Sequence, residues 1–304
     1  MPSPARETAL TLSNSILDTR FRSALGRMAD QGRLQTYSAP ADPYLEIAGI
    51  MKKLDGGPAL LFSKVNGHDM PVIGNLLSCQ ANVEAAFGIG FRGVREFVGR
   101  ALGDPKPPVL MERGPAQEQV HRKNIDLGKM LPALHHTEAD AGRYVTAGIV
   151  ITRDPETQVY NASYHRLMLC GPNKVAIQLD YGRHLRAAFE RAQKKGQHLP
   201  VVVCIGSDLA LHYTAATMGS QMPESADELA VAGGLCGRAL PVVKAVSQDL
   251  LVPAESEIVL EGVLKCDEEV MEGPFGEFVG YLAPADPGPV LEVTAVTHRN
   301  KPIY

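Results

Sequence analysis

Asn161-Ala-Ser-Tyr-His-Arg166 puts a metal-capable amide, a hydroxyl, an imidazole and a guanidinium into one short stretch. Ahead of it lie the β-branched run at 147–152 and the turn-forming pair Asp154-Pro155, so the region reads as strand, turn, strand. Side chains alternate along a strand, which places Asn161, Ser163 and His165 on one face and Tyr164 and Arg166 on the other. A core strand has little use for such polar content. The stretch is therefore a candidate site, with a solvated edge strand as the ordinary reading.

Further polar clusters follow it. Gly182-Arg183-His184 stands where a strand turns into a helix at 185–195. A histidine at a helix start faces bare N–H groups and a positive dipole end, which favours neutral imidazole and bound anions; a capping surface histidine is the plainer reading. Asp227-Glu228 opens another helix, where acidic residues commonly do no more than complement the dipole. Glu272-Gly-Pro-Phe-Gly-Glu277 brackets two carboxylates with glycine and proline, as expected of a rigid loop aiming them at one point, or of an ordinary polar turn. Phe275 and Phe278 could desolvate a carboxyl there and raise its pKa, which would suit a general acid. His135-His136 has no partner spacing and reads as a surface loop. His68, His121, His198, His212 and His298 show no ligand spacing either.

The elements that would carry these clusters fall into two textures. Leu17, Phe21, Ala24, Leu25 and Met28 recur at helical spacing before Gly32, and a second helix fits 44–54. Two strands at 59–65 and 70–77, joined at Asn66-Gly67, and helices at 81–87 and 94–102 complete a small N-terminal α/β domain over 1–108. Residues 104–108 look like a linker. Gly88-Ile-Gly-Phe-Arg-Gly93 matches GxGxxG, but a helix rather than a strand precedes it, so it is no dinucleotide fingerprint. From 109 to 304 short strands dominate (146–152, 159–170, 174–179, 201–205, 240–244, 258–263 and 290–298), interrupted by helices. That pattern predicts a β-barrel-like second domain and an α+β chain.

At 304 residues the chain can bury a large core and hold two domains. Its 45% hydrophobic and 21% charged residues are ordinary for a globular protein, and a net charge of -4 argues against a general nucleic-acid or membrane-surface binder. No apolar run approaches the roughly 18 residues needed to span a bilayer. Residues 1–6 lack a signal-peptide apolar region, so a cytoplasmic location is expected. Cys79, Cys170, Cys204, Cys236 and Cys266 are odd in number and far apart, which points to buried free thiols rather than disulfides or a zinc site.

Taken together and in this order, the clusters resemble those of the UbiD-type decarboxylases, a family named after 3-polyprenyl-4-hydroxybenzoate decarboxylase. The likeness covers most of the chain. It includes Ile151-Thr-Arg-Asp-Pro-Glu-Thr157, Leu199-Pro-Val-Val-Val-Cys-Ile-Gly206, Val252-Pro-Ala-Glu-Ser-Glu-Ile-Val-Leu-Glu-Gly262 and, most specific, Glu272-Gly-Pro-Phe-Gly-Glu-Phe-Val-Gly-Tyr281. The resemblance implies a split β-barrel with inserted helices that binds prenylated FMN. It implies a divalent metal, usually Mn2+, bridging the cofactor phosphate, often with K+ nearby, and its ligand pattern falls on Asn161, His184 and Glu228. Amide and carboxylate oxygens with one imidazole make a sound set for a hard cation. Tyr164, His165, Arg166, Arg183 and His184 would line the cofactor, and Thr217 and Met218 would belong to a further contacting loop.

The implied reaction is reversible, non-oxidative decarboxylation of an aromatic or α,β-unsaturated acid through a covalent adduct with the flavin, which acts as electron sink while CO2 leaves. Arg166 would hold the substrate carboxylate and pair with Glu272, and Glu277, its pKa raised, would protonate the carbon left behind. A flavin prenyltransferase would supply the cofactor. Relatives continue past the barrel into a C-terminal domain that supplies homo-oligomer contacts and closes over the flavin. Since this chain stops at Tyr304, that domain is expected to be absent and apolar surface to be exposed in its place. A non-catalytic flavin- and metal-binding fragment or subunit is the alternative, and intact Arg166, Glu272 and Glu277 argue against it. An ordinary FMN oxidoreductase on a similar barrel would not need the Asn161, His184 and Glu228 set.

Overall fold

Leu17, Phe21, Ala24, Leu25 and Met28, the apolar stripe of the sequence, are all buried, and helix α1 forms over Phe21–Asp30. The computed structural model describes residues 16–217, 221–277 and 279–304. After α1 come β1 (Leu34–Tyr37), α2 (Glu46–Lys53), β2 (Ala59–Phe62), β3 (Val72–Gly74), α3 (Gln80–Phe87) and α4 (Phe91–Ala101). The three strands form a sheet in the order β1-β2-β3, with β1 and β2 parallel. Gly88 caps α3 in the left-handed conformation and Gly90 caps the start of α4, so the GxGxxG match is spent on two helix ends.

Residues 104–108 carry no regular element, but they are not free. The Lys106 amide donates to the Ala230 carbonyl at 2.9 Å, and β4 (Val109–Leu110) pairs with a later strand. One apolar cluster runs without a break from α1, α3 and α4 into the second half of the chain.

That second half contains β5 (Gln119–His121), α5 (Leu127–Met130), β6 (Tyr144–Val145), β7 (Ile149–Arg153), β8 (Tyr160–Tyr164), β9 (Leu167–Gly171), β10 (Lys174–Ile177), α6 (His184–Lys194), β11 (Leu199–Ile205), α7 (Leu209–Ala216) and α8 (Glu228–Cys236). It ends with β12 (Pro241–Lys244), β13 (Leu251–Pro253), β14 (Ile258–Glu272), β15 (Phe275–Gly276), β16 (Leu282–Ala283) and β17 (Asp286–His298). The main sheet follows the path β6-β9-β10-β17-β14-β11-β7-β8, with β5 on β17.

The two ends of that path are neighbours in sequence: β6 runs into β7, and β8 runs into β9. A sheet whose first and last strands are joined by such short links must curl on itself. The link between β6 and β7 is tight, because a Cβ on Gly148 would lie 2.7 Å from Val203 Cγ1. The other link is His165-Arg166. The strand predicted at 159–170 is therefore broken at the barrel seam, and its halves pair with different partners: β8 with β7, and β9 with β6 and β10.

Two strands are longer than the sequence pattern suggests. The one predicted to end at 263 continues to Glu272, and the one predicted from 290 begins at Asp286. All five cysteines are free; Cys204 and Cys236 are buried, while Cys170 is exposed. Among the described residues no helix is long and apolar enough to cross a membrane.

Candidate active site

Two helix starts and one strand meet at Glu228. It is the first residue of α8, its carboxylate is 3% exposed, and Asp227 before it caps the helix by accepting from the Ala230 amide at 3.0 Å. Asn161 in β8 donates through Nδ2 to Glu228 Oε1 at 3.0 Å, and the Ala162 amide donates to Oε2 at 3.2 Å. His184, the first residue of α6, brings Nδ1 to 3.6 Å from the same Oε1. The amide, imidazole and carboxylate thus converge although they are distant in sequence. Burial pushes the Glu228 carboxyl up against the lowering pull of His184 and Asn161, and the carboxylate in turn raises His184.

A hydrogen-bond chain extends this cluster along β8. The Ser163 hydroxyl lies 3.2 Å from Asn161 Oδ1 and 3.0 Å from His165 Nε2. His165 Nδ1 donates to the Gln178 carbonyl at 2.9 Å, and burial holds its imidazole neutral, below the ordinary histidine range. Asn161, Ser163 and His165 share one face, as strand alternation predicts.

Arg166 lies past the end of β8, in the seam, and reaches a different neighbourhood from Tyr164. Its guanidinium, 13% exposed, makes a two-pronged pair with Glu272 (Nε to Oε1 at 2.9 Å, Nη2 to Oε2 at 2.7 Å), and Nη1 donates to Glu277 Oε1. Glu272 is fully buried and Glu277 about a quarter exposed. The two carboxylates were expected on one loop. Glu272 is instead the last residue of β14, paired with Asp286 of β17, and only Glu277 sits on the hairpin beyond Gly273, where a φ of 92° turns the chain.

Phe275, expected to desolvate a carboxyl, lies under Arg166, with Cζ 5.3 Å from its ring centroid. The same ring packs on the fully buried Tyr144 at 4.6 Å and edge-on to His136 at 5.9 Å. His135-His136 is thus no surface loop: His136 closes the floor under Phe275, and His135 packs at a tilt against Tyr44, ring centroids 4.8 Å apart. Beside it Asp140 accepts from the amides of His136 (3.1 Å), Thr137 (2.9 Å) and Gly276 (2.8 Å), and from Thr137 Oγ1 (2.8 Å). Against the upward push of burial, these donors keep its carboxyl below the usual range. Asp140 pins the hairpin that carries Glu277, and sequence reasoning missed it; Thr137 and Asp140, three residues apart in a turn, were the available signal.

Other expected site residues lie around these two centres. Tyr164 faces the apolar core, where its hydroxyl contacts His212 Nδ1 in α7; burial pulls that imidazole down to about 4. Arg183 is half-buried at the N-cap position of α6 and caps it with no side-chain hydrogen bond. Thr217 closes α7 by donating to the Tyr213 carbonyl at 2.9 Å. Met218 and Phe278 fall outside the described residues. Met271, Val279, Tyr281 and Leu282 surround the Glu277 hairpin as exposed apolar side chains.

Comparison with known proteins gives the family. A family model described as the 3-octaprenyl-4-hydroxybenzoate carboxy-lyase Rift-related domain matches residues 109–304, and one described as the N-terminal domain of the same carboxy-lyase matches 25–112. The chain is 32% identical over 294 residues to an uncharacterized protein in the cooM 5' region of Rhodospirillum rubrum, covering 94% of this chain and 63% of that protein. An evolved dimeric form of the UbiD-class enzyme HmfF from Pelotomaculum thermopropionicum, solved with prFMN, superimposes with a TM-score of 0.89 at 38% identity, over 94% of this chain and 66% of that one. Vanillic acid decarboxylase from Sedimentibacter hydroxybenzoicus, in its closed form, gives a TM-score of 0.89 at 27% identity, over 94% and 63%. The chain thus spans somewhat under two thirds of the length of these relatives.

Proposed function

The chain belongs to the 3-octaprenyl-4-hydroxybenzoate carboxy-lyase family, and from that membership we propose that it binds prenylated FMN and Mn2+ for reversible, non-oxidative decarboxylation of an aromatic or α,β-unsaturated acid. The observation that carries this reading is the Arg166 guanidinium held between a buried carboxylate, Glu272, and a more exposed one, Glu277. An ordinary flavin oxidoreductase has no use for a buried cation with a second carboxylate at its rim.

The residues at the first centre fit a hard cation beside a phosphate. Asn161, His184 and Glu228 supply an amide oxygen, an imidazole and a carboxylate, and a divalent ion there would supply positive charge against the cofactor phosphate. Ser163 has a single hydroxyl proton for two acceptors, so it can turn to His165 Nε2 when Asn161 Oδ1 is taken by the cation. The uncapped first amides of α6 offer donors to an anion at the positive end of an eleven-residue helix.

When bound, prenylated FMN would supply the electron sink for the pair of electrons left as CO2 departs. The protein's part is positional and protonic. Glu272, paired through both oxygens, fixes the plane of the Arg166 guanidinium, so that Arg166 can orient the substrate carboxylate. Glu277 carries the proton to the carbon that loses CO2. Its protonation leaves Arg166 and Glu272 as a balanced ion pair, so Glu277 is the carboxyl the guanidinium can release.

A flat, apolar acid suits Phe275 and the apolar residues around the Glu277 hairpin. The decisive experiment loads the protein with Mn2+ in cells that also make a flavin prenyltransferase, then reads the mass and spectrum of the bound flavin and CO2 release from a panel of aromatic and acrylic acids. Prenylated flavin with CO2 release is the expected result. Bound flavin with neither CO2 release nor solvent deuterium exchange would assign the chain to binding alone.

A further inference from the structure

A second cluster of ligating side chains lies on the far edge of β14. The ladder between β14 and β17 slips there: Leu264 pairs with Leu291 and Glu269 with Pro289, leaving residues 265–268 opposite Val290 alone. Such a bulge re-aims side chains that a regular strand would send to opposite faces. Cys266 and Asp267, adjacent in sequence, both turn toward His198, the residue before β11. His198 Nδ1 lies 3.4 Å from Cys266 Sγ and 3.9 Å from Asp267 Oδ1, and the three ligand atoms all fall within 4.8 Å of one another.

We propose that His198, Cys266 and Asp267 form a thiolate-containing site for a borderline transition-metal ion such as Zn2+, separate from the Glu228 centre. The geometry distinguishes chelation from a nucleophilic relay. In a Cys-His-Asp relay the thiol and the acid use opposite nitrogens of the ring; here both face Nδ1, as donors around one ion do. The tautomer is set as well. Nδ1 accepts from the Cys266 amide at 3.2 Å, so that nitrogen is unprotonated and its lone pair points into the cluster.

The bulge is held in place by Gln193 of α6, whose Nε2 donates to the Cys266 carbonyl at 3.1 Å. One sulfur, one nitrogen and one oxygen with a fourth position open match the donor preferences of Zn2+, and not those of the oxygen-dominated Glu228 centre. Binding displaces the thiol proton and the Cys266 N–H contact. Lys265, whose Nζ is 3.8 Å from Asp267 Oδ1, is also within 4.0 Å of Glu292 and can turn to it.

Co2+ is the probe, since a thiolate ligand gives a sulfur-to-metal charge-transfer band that an oxygen and imidazole set does not. Titrating the full, reduced chain with Co2+ should produce the band, and Zn2+ should remove it. Cys266→Ser should abolish it, and His198→Asn should weaken Co2+ binding on the order of tenfold to a hundredfold. Cys170→Ser and Glu228→Ala should both leave it intact, which separates this site from the exposed thiol and from the first metal centre. In parallel, Zn2+ should slow alkylation of Cys266, read by peptide mass, in the parent and not in His198→Asn. The proposal is overturned if no band appears at saturating Co2+, if the band survives in Cys266→Ser, or if Zn2+ leaves alkylation of Cys266 unchanged.

Discussion

The Glu228 cluster and the Arg166 cluster hang from adjacent stretches of one chain segment, yet they are held in opposite ways. Asn161 is on a strand inside the main sheet, and His184 and Glu228 are the opening residues of two helices, so all three sit on elements that packing has fixed. In the second cluster only Glu272 has such support. Arg166 lies in the seam between two strands, and Glu277 rides a short hairpin whose anchor is Asp140. Rigid elements suit a group that must grip, and a tethered hairpin suits a group that must give up a proton and recover it. Under the proposed function the difference separates holding a cofactor from acting on a substrate, and each half should be breakable without the other.

The largest effect expected on the holding side comes from Glu228→Ala. It strips the shared partner from Asn161, Ala162 and His184, and Mn2+ affinity should fall about tenfold to a hundredfold, with flavin content falling in step. Metal analysis and flavin absorbance on the same sample check it; normal flavin without metal would uncouple the two.

Asp140→Ala is the counterpart on the acting side. Freeing the Gly276 amide should let the hairpin drift, with turnover down about tenfold to a hundredfold and metal and flavin content unchanged. Loss of flavin together with turnover would show that the halves are not separable.

The pH dependence sharpens the comparison further. Both Glu228 and His184 are raised in the metal-free protein, so both contribute stability at low pH that is lost as pH climbs through their raised values, above 6.5 for His184. Metal needs both groups deprotonated and follows the opposite sign. The rise in melting temperature on adding Mn2+ should therefore grow from about pH 6 to about pH 8, and Glu228→Gln should flatten that trend.

The smallest effect is expected of Tyr164→Phe. Its hydroxyl meets buried His212 in the core, so a stability loss of about 1–3 kcal/mol in chemical denaturation is predicted, with flavin content unchanged. A fall in flavin at full stability would move Tyr164 into the cofactor site.

Much of this was legible in the sequence because the signals were local. Polar residues alternating along 161–165 marked a strand face, and His184 and Glu228 showed themselves at helix starts. Long-range register was not legible. The seam at His165-Arg166 looks like ordinary strand in sequence, so the break between β8 and β9 went unforeseen. Glu272 was read as loop because Gly273-Pro274 follows it, whereas pairing with β17 carries the strand that far. His136 lacked any spacing signal and Asp140 had only its turn spacing to Thr137, since what defines both is contact with a hairpin more than a hundred residues downstream.

The most direct test of the separation is Glu277→Gln in protein loaded with prenylated FMN and Mn2+, read for cofactor content and for CO2 release on one preparation. Full flavin and metal with turnover down about a hundredfold to ten-thousandfold is the predicted result. Turnover retained at the parent rate, or cofactor lost along with it, would contradict the division of labour between the two clusters.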